Sequence, residues 1–374
     1  MNIRIPGKYF VTLALLLLIS LSYADPPPGY YDDAAGLTGP ALQQALHDII
    51  DSHTNISYAA IWLAFFTTDD RYGDKVWDMY SDTPGETPPY EYTLGDDQNQ
   101  GGSAGGEGES YNREHSWPKS WFNDASPMNT DLFHIVPTDT YVNSQRDSYP
   151  YGEVSNPTWI SENGSRLGPC SYSGYSGIVF EPIDDYKGDF ARNYFYMATR
   201  YLNEDSGWPG SDMVNGAVLK PWAEAMLIEW HSNDQVSAKE LDRNEAVYVI
   251  QHNRNPFIDH PEFVFLIYDP TSVESGGFQA ASAALYQNIP NPFSVSTAIG
   301  FMLPETAVVS ITVYDISGKV VNSIFENSQL PRGYHEVVWN GETSSGYPAA
   351  SGIYFCRLST PEGVTTIRMM MIGG

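Results

Sequence analysis

The chain has 374 residues, with 46 acidic against 19 basic side chains and a formal net charge of −27. Because phosphate contacts with Lys and Arg supply most of the non-specific affinity for nucleic acids, this charge argues against a general polyanion-binding surface. The chain has only two cysteines, which excludes a framework of disulfide bonds.

Residues 1–24 have the pattern of a secretory signal. A basic start precedes an apolar run over residues 11–21, and the small residues Ser22 and Ala24 favour cleavage before Asp25. The apolar run is shorter than the roughly 20 residues that a transmembrane helix needs. No later segment comes closer to that length, so we expect an exported and soluble mature protein with no membrane insertion.

Residues 25–271 are predicted to form a helix-rich domain. Apolar residues recur at helical spacing in residues 40–53, 56–66, 189–201, 218–231 and 238–252.

Residues 95–110 contain almost no apolar side chains and are predicted to form a loop. Their acidic residues leave two interpretations open: a solvated surface loop, or a calcium-binding loop that uses hard carboxylate ligands. The acidic residues concerned are Asp96, Asp97, Glu107 and Glu109.

The pattern changes after a Ser/Gly/Ala-rich segment, residues 272–284, which is typical of a linker. Residues 285–374 contain short alternating runs separated by turn signals, which predict a small immunoglobulin-like β-sandwich. The runs are residues 297–303, 308–314, 320–325, 336–339, 353–358 and 365–372.

Candidate chemistry is concentrated in residues 112–121, which read NREHSWPKSW, and at Asn143 in VNSQR. Glu114 offers a metal ligand, and His115 offers a proton acceptor suited to neutral pH. Neighbouring residues of a strand face opposite sides, so we expect a bulge, a bend or a strand end to bring both to one site. Pro118 favours a strand end.

Several long motifs in this part of the chain resemble the endonuclease I family of His-Me finger (ββα-metal) nucleases, over about residues 58–261. Besides NREHSWPKSW they are DLFHIVPTD (131–139), VFEP (179–182), YKGDFAR (186–192) and QHNRNPFID (251–259). The resemblance implies an α+β fold with a general base on a β-hairpin and an Asn ligand on the following helix. Residues 138–147 fit that helix, with Thr138 or Asp139 as its cap.

The resemblance also implies roles for three residues. His115 would be the general base, and Glu114 and Asn143 would hold one divalent cation, Mg²⁺, with Ca²⁺ or Mn²⁺ as alternatives. The expected activity is that of a monomeric endonuclease that hydrolyses DNA, and RNA as a further substrate, without sequence preference and with 5′-phosphate products.

Other polar residues flank this constellation. Arg113, Lys119 and Arg146 are predicted either to contact substrate phosphates or to form ordinary surface ion pairs. For His134, a hydrogen-bonded second-shell position and direct participation at the metal both stay open. Two nearby tryptophans are expected to pack in the core rather than stack on bases: Trp117 and Trp121.

The tail contains LYQNIPNPF (285–293), VYDISGK (313–319) and SGIYF (351–355), which resemble the C-terminal sorting domain of type IX secretion cargo. The resemblance implies a Gram-negative source, export by the type IX machinery, and release or attachment at the cell surface. The usual basic end is missing, since Arg368 is the last charged residue. An ordinary immunoglobulin-like module is therefore the alternative for the tail.

Two rival functions belong to other classes. The 14% aromatic content and the β-sandwich tail would also suit a cell-surface adhesin or a glycan-binding protein. A different metal hydrolase is disfavoured, because the sequence contains no H-E-x-x-H zinc motif.

Overall fold

The computed structural model describes residues 26–268, 283–286, 288, 291–331 and 333–372. The predicted signal sequence, residues 1–24, lies outside the described residues, as does all of the predicted linker except residues 283 and 284. Within the described ranges, no helix combines the length and apolar character needed to cross a membrane.

The first part of the described chain is rich in helices, and each of the predicted helical runs overlaps one of them. The helices are α1 (Gly39–Ile50), α2 (Ile61–Thr68), α3 (Thr140–Arg146), α4 (Lys187–Arg200), α5 (Pro221–Asn233), α6 (Ala238–Gln251), α7 (Pro256–Asp259) and α8 (Phe263–Tyr268). The run predicted at residues 218–231 starts three residues before the helix, which begins at Pro221. Proline is favoured at the first position of a helix, because an N–H there would have no partner within the helix.

Short strands accompany these helices and form small antiparallel sheets. The strands are β1 (Tyr111–His115), β2 (Ile135–Asp139), β3 (Trp159–Ile160), β4 (Arg166–Pro169), β5 (Ile178–Glu181), β6 (Val214–Asn215) and β7 (Val218–Leu219). The first two strands pair with each other, β3, β4 and β5 form one sheet, and β6 pairs with β7.

Helix α4 lies at the centre of this domain, and all of its residues are buried. A helix buried on every side has to satisfy its polar side chains internally. Arg192 of α4 does so by donating to both oxygens of Glu240, at 2.5 and 2.9 Å. Charged pairs of this kind take the place of disulfides, and Cys170 and Cys356 are both free.

The tail forms two packed sheets, which confirms the predicted β-sandwich. Its strands are β8 (Ala284–Leu285), β9 (Thr297–Leu303), β10 (Ala307–Asp315), β11 (Val320–Leu330), β12 (Gly333–Trp339), β13 (Gly352–Ser359) and β14 (Val364–Met371). One sheet has the order β11-β10-β13-β14 and the other β12-β9-β8. Their inner faces share a core that includes Phe301, Val313, Trp339 and Cys356.

Residues 95–110 contain no helix or strand before Ser110, as predicted for a loop. Several of its carboxylates already accept hydrogen bonds. Asp97 accepts from the Thr93 amide, Glu107 from the Glu162 amide and Glu109 from the Gly105 amide. This usage favours a loop held by its own hydrogen bonds over the calcium-binding alternative.

Asp139 caps the N-terminus of α3, one of the two caps that the sequence suggested. Its Oδ1 accepts from the Val142 amide at 2.7 Å, and its Oδ2 accepts from the Tyr92 hydroxyl at 2.5 Å and the Gly108 amide at 2.9 Å. The helix therefore begins at Thr140, because residues through Asp139 belong to β2.

We predict that Asp139→Ala lowers the free energy of unfolding by about 3 kcal/mol, because it removes the helix cap and leaves two further donors without an acceptor. Urea denaturation measures this change. The control is Asp185→Ala at an exposed position, where we expect a change below about 0.5 kcal/mol. Equal effects of the two substitutions would show that Asp139 does not hold α3 in place.

Candidate active site

Strands β1 and β2 and helix α3 form a compact unit that carries the predicted site residues. β1 pairs with β2 in a regular antiparallel register from Tyr111↔Asp139 to His115↔Ile135. α3 follows β2 directly. Of the bulge, bend or strand end that the sequence suggested, the pairing contains no bulge, and β1 ends at His115.

One face of β1 is covered by α3. Asn112 and Glu114 share this face because alternate residues of a strand point the same way. Asn143 of α3 donates from Nδ2 to Asn112 Oδ1 at 2.8 Å. One helical turn later, Arg146 donates to Glu114 Oε1 at 3.0 Å. The structure thus brings the two predicted metal ligands, Glu114 and Asn143, to the same face of β1.

Glu114 is buried and held by a charged and a neutral donor. Its Oε1 accepts from Arg146 and from the Tyr80 hydroxyl, the latter at 2.9 Å. Burial raises the pKa of the Glu114 carboxyl to about 7, and the neighbouring Arg146 cation opposes that rise.

His115 points to the other face of β1. Its ring stacks near Tyr58, with centroids 6.1 Å apart and planes at 22°, and lies 5.5 Å from the His134 ring. The structure therefore does not place His115 on the same face as Glu114 and Asn143. A ligand that contacts both groups has to span the edge of the strand.

The hydrogen bond of His115 determines which ring nitrogen can accept a proton. Nε2 lies 3.2 Å from the carbonyl oxygen of Asn129, and a carbonyl can only accept, so Nε2 carries the hydrogen. Nδ1 then has a free lone pair. Burial, and next the nearby His134, hold the pKa of His115 well below its usual value, which keeps the ring neutral at neutral pH.

Arg113 and Lys119 lie on the His115 side of the strand. The Arg113 guanidinium carbon is 3.7 Å from the centre of the Tyr58 ring, and Lys119 Nζ is 4.9 Å from it. Lys119 pairs with Asp124 at 2.7 Å, whereas Arg113 has no carboxylate within ion-pair distance among the described residues. The predicted phosphate contacts at these two positions are compatible with this placement.

The structure corrects the prediction that Arg146 contacts a substrate phosphate or forms a surface ion pair, because its guanidinium is buried and not available to a phosphate. The side chain is 1% exposed. Its Nη atoms donate to Glu114, to the carbonyls of His115 and Ser116, and to the Tyr194 hydroxyl. Since all of these acceptors belong to the protein, Arg146 positions the end of β1 instead of contacting substrate.

His134 is a buried residue with a hydrogen bond in the core, which favours that alternative over direct participation at a metal. It is fully buried, its Nε2 donates to the Met128 carbonyl at 2.6 Å, and burial lowers its pKa to about 4. Trp117 and Trp121 are buried as expected and pack against each other, with ring centroids 6.1 Å apart.

Three residues of the site were not singled out from the sequence. Asn112 could have been found, because it lies two residues before Glu114 and so shares its face of β1. Tyr58 and Tyr80 carry no local signal, since only the tertiary fold brings them to β1.

Glu114 and Asn143 could hold a divalent cation. Arg146 and Tyr80 both donate to Glu114 Oε1, and Asn143 uses Nδ2 for its bond to Asn112, so Glu114 Oε2 and Asn143 Oδ1 are the other oxygens that these two side chains offer. A carboxylate and an amide oxygen are hard ligands of the kind that Mg²⁺ uses when it keeps several waters. The residues present therefore fit a single cation on the α3 side of β1.

A second group with suitable ligand types lies elsewhere. Atoms of His47, Asp51 and Glu204 are within 4.8 Å of one another. Arg200, however, pairs with both carboxylates, at 3.0 and 3.2 Å. A cation would have to displace this guanidinium, so the group is explained by its own ion pairs.

We predict that Arg146→Met lowers the free energy of unfolding by about 3–5 kcal/mol, because it leaves Glu114 buried without its cation. Thermal or urea unfolding checks the value. The double variant Glu114→Gln with Arg146→Met should recover part of this loss, and Lys119→Met, at a surface pair, should cost less than about 1 kcal/mol. A cost for Arg146→Met no larger than that for Lys119→Met would contradict the positioning role.

Comparison with known proteins gives two matches to family models. One described as Endonuclease I matches residues 38–262, and one described as FlgD Ig-like domain matches residues 292–363. The second match supports the immunoglobulin-like fold of the tail and does not bear on the type IX sorting role.

Two relatives are bacterial and share the name extracellular ribonuclease. The chain is 36% identical over 274 residues to the protein of Bacillus subtilis (strain 168), an alignment that covers 70% of this chain and 86% of the relative. It is 37% identical over 243 residues to that of Bacillus amyloliquefaciens, covering 63% and 76%.

Among solved structures, dimeric latent PorU from Porphyromonas gingivalis is 22% identical, covers 26% of this chain and 10% of that chain, and has a TM-score of 0.21. This likeness is too small to bear on function. The endonuclease I model spans more than half of the chain and agrees with a 36% identical relative over 70% of it, so the chain belongs to the endonuclease I family and is a nuclease.

Proposed function

We propose that the protein is an exported, metal-dependent nuclease that hydrolyses phosphodiester bonds of DNA and RNA without sequence preference. The single observation that carries the proposal is the arrangement around β1. Glu114 and Asn143 offer oxygen ligands on one face, and His115 keeps a free Nδ1 on the other, beside Arg113. Two antiparallel strands followed by a helix also support the assignment to the His-Me finger class.

Glu114 and Asn143 would hold Mg²⁺, which supplies charge neutralisation of the phosphate and stabilisation of the leaving oxygen. His115 Nδ1 accepts a proton from the attacking water, and Arg113 contacts a phosphate oxygen. As the new P–O bond forms, the bond to the 3′ oxygen breaks, and this oxygen takes a proton from solvent water, which leaves a 5′-phosphate and a 3′-hydroxyl. Arg146 and the Asn129 carbonyl keep Glu114 and His115 in position.

The substrate range rests on the site and the relatives together. The proposed site residues grip a phosphate and a cation and do not read base edges. The matching family is described as an endonuclease, and two relatives are named ribonucleases. Both DNA and RNA are therefore proposed substrates.

Export is proposed from the signal-like residues 1–24 and from the extracellular location that the relatives' names state. The immunoglobulin-like tail is proposed to serve type IX sorting, which rests on the motifs at residues 285–293, 313–319 and 351–355. An accessory binding module is the alternative for this domain.

We predict that His115→Ala lowers kcat by roughly 10²- to 10⁴-fold, the usual contribution of a general base. The assay measures nicking of supercoiled plasmid and cleavage of single-stranded RNA with Mg²⁺. His252→Ala, at an exposed position, serves as the control and should keep full activity. Near-normal cleavage by a folded His115→Ala variant would exclude this residue as the base.

We predict that Asn143→Ala raises the Mg²⁺ concentration for half-maximal activity by about tenfold or more, because one of two protein ligands is lost. Ser144→Ala, the exposed neighbour on α3, should leave the metal requirement unchanged. A chelator should abolish cleavage by the unmodified protein. Activity that survives full chelation would contradict a metal-dependent mechanism.

A further inference from the structure

Helix α2 presents apolar side chains on both of its sides. Ile61, Ala64, Phe65 and Thr68 are buried, at the spacing of a helix face that packs on the core. The other side of a surface helix normally carries polar residues. In α2 it carries Leu63, 73% exposed, and Phe66, 46% exposed.

The exposed side of α2 continues into the site at β1. Trp62 and Tyr58 are both half-buried. The centres of their rings lie 4.4 and 3.7 Å, respectively, from the Arg113 guanidinium carbon. Tyr58 in turn stacks near His115. Phe66 follows Trp62 by one helical turn, about 6 Å along the axis. Apolar surface therefore extends from the proposed phosphate position along the helix.

The charge of the protein limits how it can bind nucleic acid. With a net charge of −27, most of its surface repels phosphates. At the site itself, Arg113 and Lys119 supply the local cations, and Asp124 partly neutralises Lys119. Because few cations are left for phosphate contacts, contacts with uncharged parts of the nucleotides would add to the attraction by Arg113 and the proposed cation. Aromatic and apolar side chains make such contacts with the faces of unpaired bases.

We propose that Tyr58, Trp62, Leu63 and Phe66, called the α2 surface here, bind unpaired bases next to the cleaved phosphate and make single-stranded nucleic acid the preferred substrate. The proposal rests on the function proposed above, because it places the phosphate beside His115 and Arg113. In a duplex the base faces are stacked inside the helix, so this surface gains nothing from duplex DNA. A single strand can turn its bases onto α2 while Arg113 holds the backbone.

The test uses Leu63→Ser with Phe66→Ser in the full chain. Both positions are exposed and lie outside the proposed catalytic group, so the fold and the chemistry should be kept. The matched control is Val249→Ser with Tyr347→Ser, two exposed apolar positions, 69% and 72% exposed, on other elements. Circular dichroism verifies that both double variants fold.

Binding is measured by fluorescence anisotropy in a His115→Ala background, so that the result does not depend on cleavage. The probes are a labelled 12-nucleotide single strand and the same sequence as a duplex. We expect the α2 double variant to raise Kd for the single strand by about tenfold or more, since stacking of one base alone contributes roughly that factor. Kd for the duplex should stay unchanged, and the control variant should match the parent.

Three results would overturn the proposal. They are an unchanged Kd for the single strand, an equal loss for single strand and duplex, and a change of oligomeric state that assigns the α2 surface to a second copy of the chain. Cleavage of a single strand of abasic tetrahydrofuran nucleotides, which has the diester backbone without bases or other aromatic rings, reports on the proposed function separately. The α2 double variant should hydrolyse it at the unmodified rate, whereas failure of the unmodified protein to hydrolyse any diester would contradict the function and not the surface.

Discussion

The buried guanidinium of Arg146 is the interaction on which the arrangement of the site depends. It joins the last turn of α3 to the end of β1 through Glu114 and the carbonyls of His115 and Ser116. A buried cation without acceptors costs several kcal/mol, so the chain is stable only when these groups converge on it. The same convergence positions Asn143, one helical turn earlier, against the strand that carries Glu114.

The two faces of β1 carry different kinds of side chains. The face toward α3 collects oxygen ligands, and the opposite face collects His115 with the cations Arg113 and Lys119. Alternation along a strand makes this separation automatic for neighbouring residues. In the proposed mechanism, a phosphate at the strand edge would lie between the side with the proposed metal ligands and the side with the proposed base.

The acidic composition of the chain is compatible with a nucleic acid substrate, because the charge near Arg113 differs from the average charge of the protein. A net charge of −27 gives little help in attracting a polyanion. Arg113 lies over the Tyr58 ring and places positive charge beside the proposed position of the phosphate. Apolar side chains on α2 offer further contacts that do not depend on charge.

The sequence by itself determined the longer helices, most strands of the tail, two candidate caps for α3 and the candidate residues Glu114, His115 and Asn143, because periodicity, capping and motifs are local. The structure uses Asp139 as the cap. Only the tertiary structure decided that Arg146 is buried, although its sequence position beside Asn143 suggested a phosphate contact. It also decided that Tyr58 lies beside His115 and that Trp62 of α2 lies beside Arg113. Burial and neighbourhood depend on packing between segments far apart in the chain, and no local pattern encodes them.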